Sequence, residues 1–99
     1  MKRVVLSTRA HADLAAIGRF IAEDNPPRAD TFVTQLRTVA AGLADMPHAF
    51  PLVPRYERDG IRRWSWKGYG ILYSALPDCI FVHRIPGPGQ DHDRALRLR

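Results

Sequence analysis

The apolar and polar positions of the chain change period near its middle. From Gly60 to Ile85, three short runs rich in Ile, Val, Tyr, Phe and Trp are separated by Lys67-Gly68 and by Leu76-Pro77-Asp78. β-branched and aromatic runs broken by turn residues predict strand, turn, strand, turn, strand, which is an antiparallel meander. Its strands are expected at about 60–67, 69–76 and 79–85. Upstream, Arg3-Val4-Val5-Leu6 is a further β-branched run, predicting a strand at 3–6 that Ser7 stops.

Between them the spacing is helical. Leu14, Ile17, Gly18, Ile21 and Ala22 recur on one side, with His11, Asp13, Arg19, Glu23 and Asp24 largely elsewhere. This predicts an amphipathic helix over about 8–24, capped by Ser7 or Thr8 through hydrogen bonds accepted from first-turn N–H groups. Asn25-Pro26-Pro27 ends it and starts the next, since a residue before proline avoids helical geometry and proline suits a first turn. A second helix is expected over about 27–46, with Ala29, Phe32, Val33, Leu36, Val39, Ala40 and Leu43 on one stripe. A meander this apolar cannot stand bare in water, so the helical hairpin is expected to cover one sheet face, leaving the other as the place to seek function.

Pro47, Pro51 and Pro54 forbid a helix or central strand, so 47–59 reads as a stiff connector, pinned to the core by Phe50, Leu52 and Val53. Pro86-Gly87-Pro88-Gly89 stops the last strand, and 90–99 reads as a basic tail. The fold class is therefore α+β: an N-terminal strand, a helical hairpin, then a C-terminal antiparallel β meander. At 99 residues the chain is expected to form one domain, 1–99.

Charge narrows the partners. Lys+Arg 15 against Asp+Glu 10 gives a net charge of +5 and a pI of about 10.1, which favours an anionic partner: nucleic acid, an acidic protein segment or a membrane surface. The one cysteine, Cys79, excludes an intrachain disulfide and fits a reducing compartment; its place in an apolar run predicts a small buried strand residue rather than a nucleophile. No segment joins a basic start to a long apolar core, and no apolar run reaches the roughly 18 residues of a membrane span, so a soluble, cytoplasmic protein is expected.

The residues with chemistry cluster in the meander. Arg62, Arg63, Lys67 and Arg84 interleave with Trp64, Trp66, Tyr69 and Tyr73, and cations beside aromatics on a sheet can grip phosphates and stack bases. Strand alternation puts Arg63 and Lys67 on the face of Ile61, and Arg62 on the other with Trp64 and Trp66, so the four do not form one patch. On residue type alone, tryptophans packed in a core or interface, arginines on a solvated rim and an Arg84 held by a carboxylate is the commoner arrangement. His83 sits mid-strand, where a histidine is more often a satisfied strand residue than a base. His11, His48, His83 and His92 lack the spacing of a closed metal site, even with His92 between Asp91 and Asp93, and no metal or cofactor is expected.

Taken in order, certain residues resemble the ParE branch of the RelE/ParE superfamily of bacterial toxins from type II toxin–antitoxin systems. The matching pieces are Leu6-Ser7 with Ala10 and Asp13-Leu14, Ile17 with Phe20-Ile21-Ala22, Asn25-Pro26, Phe32 and Leu36. Further on come Pro47 with Phe50-Pro51-Leu52-Val53-Pro54, Ile61-Arg62-Arg63, Gly68-Tyr69 with Ile71 and Tyr73, Val82 with Arg84-Ile85, and Asp91. Each piece is common; the ordered set runs nearly end to end. After the last strand, where such chains usually carry leucine or valine, then histidine and a short basic run, this one has Pro86-Gly87-Pro88-Gly89-Gln90.

The resemblance implies a RelE/ParE-like fold and a plasmid-stabilisation type of toxin. It would block DNA gyrase by binding it, as a protein inhibitor rather than an enzyme, with no stable DNA binding of its own and no membrane role. A cognate antitoxin would neutralise it through an acidic segment that folds on binding. The partner contacts it implies are Arg62, Arg63, Trp64, Trp66 and Arg84, with Arg94 and Arg97 of the tail. The alternative is a ribosome-dependent mRNA endonuclease of the RelE type, for which Lys67, His83 and Arg84 are the catalytic candidates. A third reading is an inactivated toxin kept as a binding module.

Overall fold

Ser7 joins the first strand to the first helix and ties both to the far end of the chain. Its hydroxyl oxygen accepts from the Ala10 N–H at 3.0 Å, and the hydroxyl donates to the His83 carbonyl at 2.7 Å. In this computed structural model, which describes residues 2–90 and 92–96, β1 is Arg3–Leu6 and α1 is Thr8–Ala22. Ala10, Leu14 and Ile17 of α1 are buried. The Asn25 side chain accepts from the Arg28 N–H at 3.2 Å and caps α2, Pro26–Ala41, which buries Ala29, Phe32, Leu36 and Ala40. Both helices are shorter than the pattern predicts. The chain turns after Ala22 because the N–H groups of Asp24 and Asn25 both converge on the Ile21 carbonyl ahead of Pro26. After Ala41 it tightens into a 3₁₀ turn, Gly42–Asp45, that still buries Leu43.

The meander strands are β2 Ile61–Trp66, β3 Tyr69–Ala75 and β4 Cys79–Arg84. Sheet order is β1-β4-β3-β2, with β1 parallel to β4 and the other pairs antiparallel. β2 and β3 are joined by Lys67-Gly68, both at positive φ (49° and 85°), a two-residue turn whose twist matches the strands it joins. Between Leu72 and Tyr73 the register against β4 shifts, because Leu72 faces Arg84 whereas Tyr73 faces Val82. His83 is the extra residue of this β-bulge, which re-aims the strand end so that Arg84 meets α1 and Ile85 joins the core.

The helices cover one face, against Ile71, Tyr73, Ile80 and Val82, with Val4 and Leu6 at the margin. Tyr73 is fully buried and donates its hydroxyl to the Pro47 carbonyl at 2.9 Å. The opposite face, expected as the place to seek function, is partly covered. Val53, Ile61, Leu72 and Leu96 form a second, smaller cluster there, with Tyr56 and Ala95 against it. Leu96 belongs to α3, His92–Leu96, inside the segment read from sequence as a basic tail.

The connector also differs from its expectation. It holds a 3₁₀ turn, Glu57–Asp59, and a single bridge from Leu52 to Arg62. Val53 is buried and Phe50 stacks on Trp64, but Leu52 remains 38% exposed. Cys79, expected in the strand core, is half-buried, since it opens β4 beside Arg3 of the edge strand. No described helix is long and apolar enough to cross a membrane.

Candidate functional site

The cations of the meander are parted by the pleat and by their partners. Arg62 donates from Nη1 to the Phe50 carbonyl at 2.7 Å and so braces the connector. Arg63, on the opposite face, lies across Gly70 and donates from Nε to the Ser65 hydroxyl at 3.0 Å. A β-carbon on Gly70 would come within 2.5 Å of the guanidinium carbon, so the absent side chain is what lets Arg63 lie flat over β3. Alternation predicts that Lys67 shares a face with Arg63; instead Lys67 has left the strand for the turn. Its Nζ stands 5.1 Å from the centre of the Trp66 ring.

Arg84 is engaged inside the molecule. Its Nε and Nη2 donate to the two carboxylate oxygens of Asp13 at 2.8 and 2.9 Å, and Nη1 donates to the Ala95 carbonyl at 2.9 Å. The Ile85 N–H adds a third bond to Asp13 at 2.8 Å. The hydrogen bonds that Arg84 donates to Asp13 raise it above the ordinary arginine range, so its charge is fixed. One carboxylate thus clamps α1, the end of β4 and α3 together, with Arg84 as a strut.

His83 takes a different partner. Its Nε2 lies 2.8 Å from the hydroxyl of Ser74, which is 4% exposed, and its ring meets Phe81 edge-on at 5.0 Å. Burial lowers its pKa, against a smaller upward pull from Asp59. Lys67, His83 and Arg84 therefore have three separate sets of partners. Arg94 is exposed on α3; Arg97 and Asp91 lie outside the described residues. Among the described residues, no three His, Cys, Asp or Glu side chains are grouped to hold a metal ion.

What the fold does bring together is a row of rings at the β2 side of the sheet. Phe50 stacks on Trp64 with centres 4.6 Å apart and planes 12° from parallel. Phe32 of α2 tilts against both Trp66 and Tyr69 at 5.4 and 5.2 Å. Arg28 lies 5.0 Å over Phe32, so the row is closed by a cation at each side, Arg28 and Lys67. Each such contact is worth about 0.5–1 kcal/mol at an exposed position. Half-buried tryptophans beside cations that have no ion-pair partner among the described residues have the make-up of an interface hot spot. Sequence reasoning found Trp64, Trp66 and Lys67 but missed Arg28 and Phe32; their i, i+4 spacing on one helix was the available signal.

The fold and its surfaces can be set beside known proteins. A solved structure described as the chromosomal ParDE toxin–antitoxin system from P. aeruginosa superposes with a TM-score of 0.76 at 20% sequence identity, covering 89% of this chain and 97% of that one. At that identity the likeness establishes the architecture. No curated protein sequence matches the chain. The family model for the ParE toxin of the type II toxin–antitoxin system parDE matches residues 4–87, from β1 to just past β4, and the chain belongs to that family.

Proposed function

We propose that this toxin acts by binding DNA gyrase and blocking supercoiling, and that a cognate antitoxin neutralises it through an acidic segment that orders on binding. The observation that carries the reading is the separation of Lys67, His83 and Arg84. An RNA-cleaving site needs groups converging on one 2′-hydroxyl and one phosphate. Here Arg84 is held bidentately by Asp13, His83 by Ser74, and Lys67 rests on Trp66. The exposed chemistry instead suits gripping a macromolecule: Lys67 and Arg62 beside Trp64 and Trp66, with Arg63 on the opposite face and Arg94 on α3. Arg84 acts from within, holding the C-terminal segment in place. The net charge of +5 favours an acidic partner and speeds encounter with one. The structurally similar P. aeruginosa protein comes from a ParDE toxin–antitoxin system, which supports an antitoxin here as well. Inhibition of gyrase places the site of action in the cytoplasm, with no cofactor and no membrane step.

The test is supercoiling of relaxed plasmid by gyrase with the purified protein, beside ribosome-programmed mRNA cleavage on the same sample. Blocked supercoiling with intact mRNA is the expected result. Cleaved mRNA with normal supercoiling overturns the proposal and returns attention to the endonuclease reading.

A further inference from the structure

The Pro-Gly loop after β4, where the chain leaves its family's usual sequence, is closed on itself. The Gln90 N–H donates to the Gly87 carbonyl at 3.1 Å, and Gln90 Oε1 accepts from the Gly87 N–H at 2.6 Å. Gly89 stands between them at φ 78°, in the region that favours glycine. The closed loop forms one wall of a cavity of about 540 Å³, whose other walls are Arg84 at the end of β4 and Arg94 and Ala95 of α3. A space of that size is within the range of small-molecule sites, and no aromatic or large apolar side chain lines it.

The side chains around this cavity have donors to spare and no free acceptor. Gln90 Oε1 is spent on Gly87, which leaves the amide hydrogens on Nε2. Arg84 spends Nε and one N–H of Nη2 on Asp13, and one N–H of Nη1 on the Ala95 carbonyl, so a second N–H remains on each Nη. That carbonyl, which would otherwise oppose an anion, is thereby occupied. Arg94 is exposed and has neither a hydrogen-bond nor an ion-pair partner among the described residues. Asp13 balances the charge of Arg84, and Arg94 adds a positive charge beside the pair. Donors set around one space by a strand end, a loop and a helix do not share a plane, as a flat carboxylate requires; a tetrahedral phosphate accepts from several sides. Two arginines on different elements allow one cation for each of two phosphates, and no ring is present to stack a base. We infer that this cavity binds a phosphate-bearing anion, the diphosphate unit of free pyrophosphate or of a nucleoside diphosphate, held between Arg84, Gln90 and Arg94. Such an anion ties α3 to the strand end that Asp13 already clamps. The inference stands apart from the gyrase reading.

The probe is inorganic pyrophosphate, titrated calorimetrically into the purified full chain at low salt, with ADP, malonate and sodium chloride of matched ionic strength run alongside. Pyrophosphate is expected to bind saturably and to raise the melting temperature. Malonate should bind about tenfold more weakly, and chloride should give no saturable heat. ADP binding as tightly as pyrophosphate marks the nucleotide's diphosphate as the recognised unit; ADP binding far more weakly marks the free anion. Arg94→Gln and Gln90→Glu should each weaken pyrophosphate by about tenfold. Glutamate keeps the oxygen that accepts from Gly87, so the loop stays closed while a donor is replaced by a like charge. Arg37→Gln removes the same charge as Arg94→Gln from the groove between α1 and α2, and should leave binding within about twofold. The inference is overturned by an absence of saturable pyrophosphate binding, by equal binding of malonate, by full binding in both cavity variants, or by a loss in Arg37→Gln as large as in Arg94→Gln. Gyrase takes no part in these measurements, so a failed anion site and a failed inhibitor reading are told apart.

Discussion

Removing the Asp13 carboxylate tests whether the clamp it forms holds the two ends of the molecule together. Asp13→Ala deletes three hydrogen bonds at once, two from the Arg84 guanidinium and one from the Ile85 N–H. The guanidinium keeps only the Ala95 carbonyl, and the Ile85 N–H is left without a partner. Stripping one member from a buried pair costs about 3–5 kcal/mol, and single hydrogen bonds to charged groups about 1.5–3 kcal/mol. The two side chains are 17% and 23% exposed, so water can replace part of what is lost. An expected cost of about 3 kcal/mol follows. For a domain of this size that is a fall in melting temperature of about 12–24 °C. Urea unfolding followed by circular dichroism, beside thermal melting, measures it. The pair also makes a prediction of sign: Arg84→Met added to Asp13→Ala should recover stability, because it removes a cation that no longer has a counter-charge. A loss below about 1 kcal/mol for Asp13→Ala, or a further loss in the double variant, refutes the clamp.

Three other outcomes follow from particular contacts. Burial disfavours the proton on His83, so the folded state binds it less readily than the unfolded one. Stability should therefore be full above the ordinary histidine value of 6.5 and decline as pH falls below it, a slope that His83→Gln flattens in urea midpoints taken across that range. Tyr73→Phe leaves the Pro47 carbonyl without its donor beneath a buried ring and should cost about 1 kcal/mol, read by the same unfolding assay. Gly68→Ala forces a side chain into φ 85° in the hairpin turn and should cost about 1 kcal/mol, whereas Gly70→Ala displaces only the mobile end of Arg63 and should cost less.

The fold was legible wherever one period dominated. Alternating aromatic and β-branched runs located β2, β3 and β4, and the stripes through Leu14 and Leu36 located the helices, because each is a surface residue pattern written onto one buried face. α3 escaped, since five residues soon after a Pro-Gly turn carry no period of their own. Leu96 is buried by Leu72 and Ile61, which the chain meets only through its tertiary fold. The parallel partner of β1 was hidden for the same reason: nothing local to Arg3–Leu6 names Cys79–Val82 as its neighbour. At the site, alternation assigned Arg62 and Arg63 to opposite faces, and failed for Lys67 because the turn interrupts the pleat there. Asp13 gave no signal beyond a polar position on an amphipathic helix, since its partner lies 71 residues away. The ring row was half visible, with Trp64 and Trp66 on one strand but Phe32 and Arg28 arriving from α2.

The pairing of the first strand with the last has a consequence for the moment of synthesis. Ser7 needs the carbonyl of a residue 76 positions later, and β1 has no strand beside it until β4 exists. During translation the helical hairpin therefore emerges with its apolar stripes unmatched, and contacts this distant in sequence form late. A chain cut short anywhere before Cys79 has no complete sheet and no clamp on Asp13. The fold of such a protein is thus completed all at once, with the closing residues, and an interrupted message leaves behind a fragment without its finished sheet.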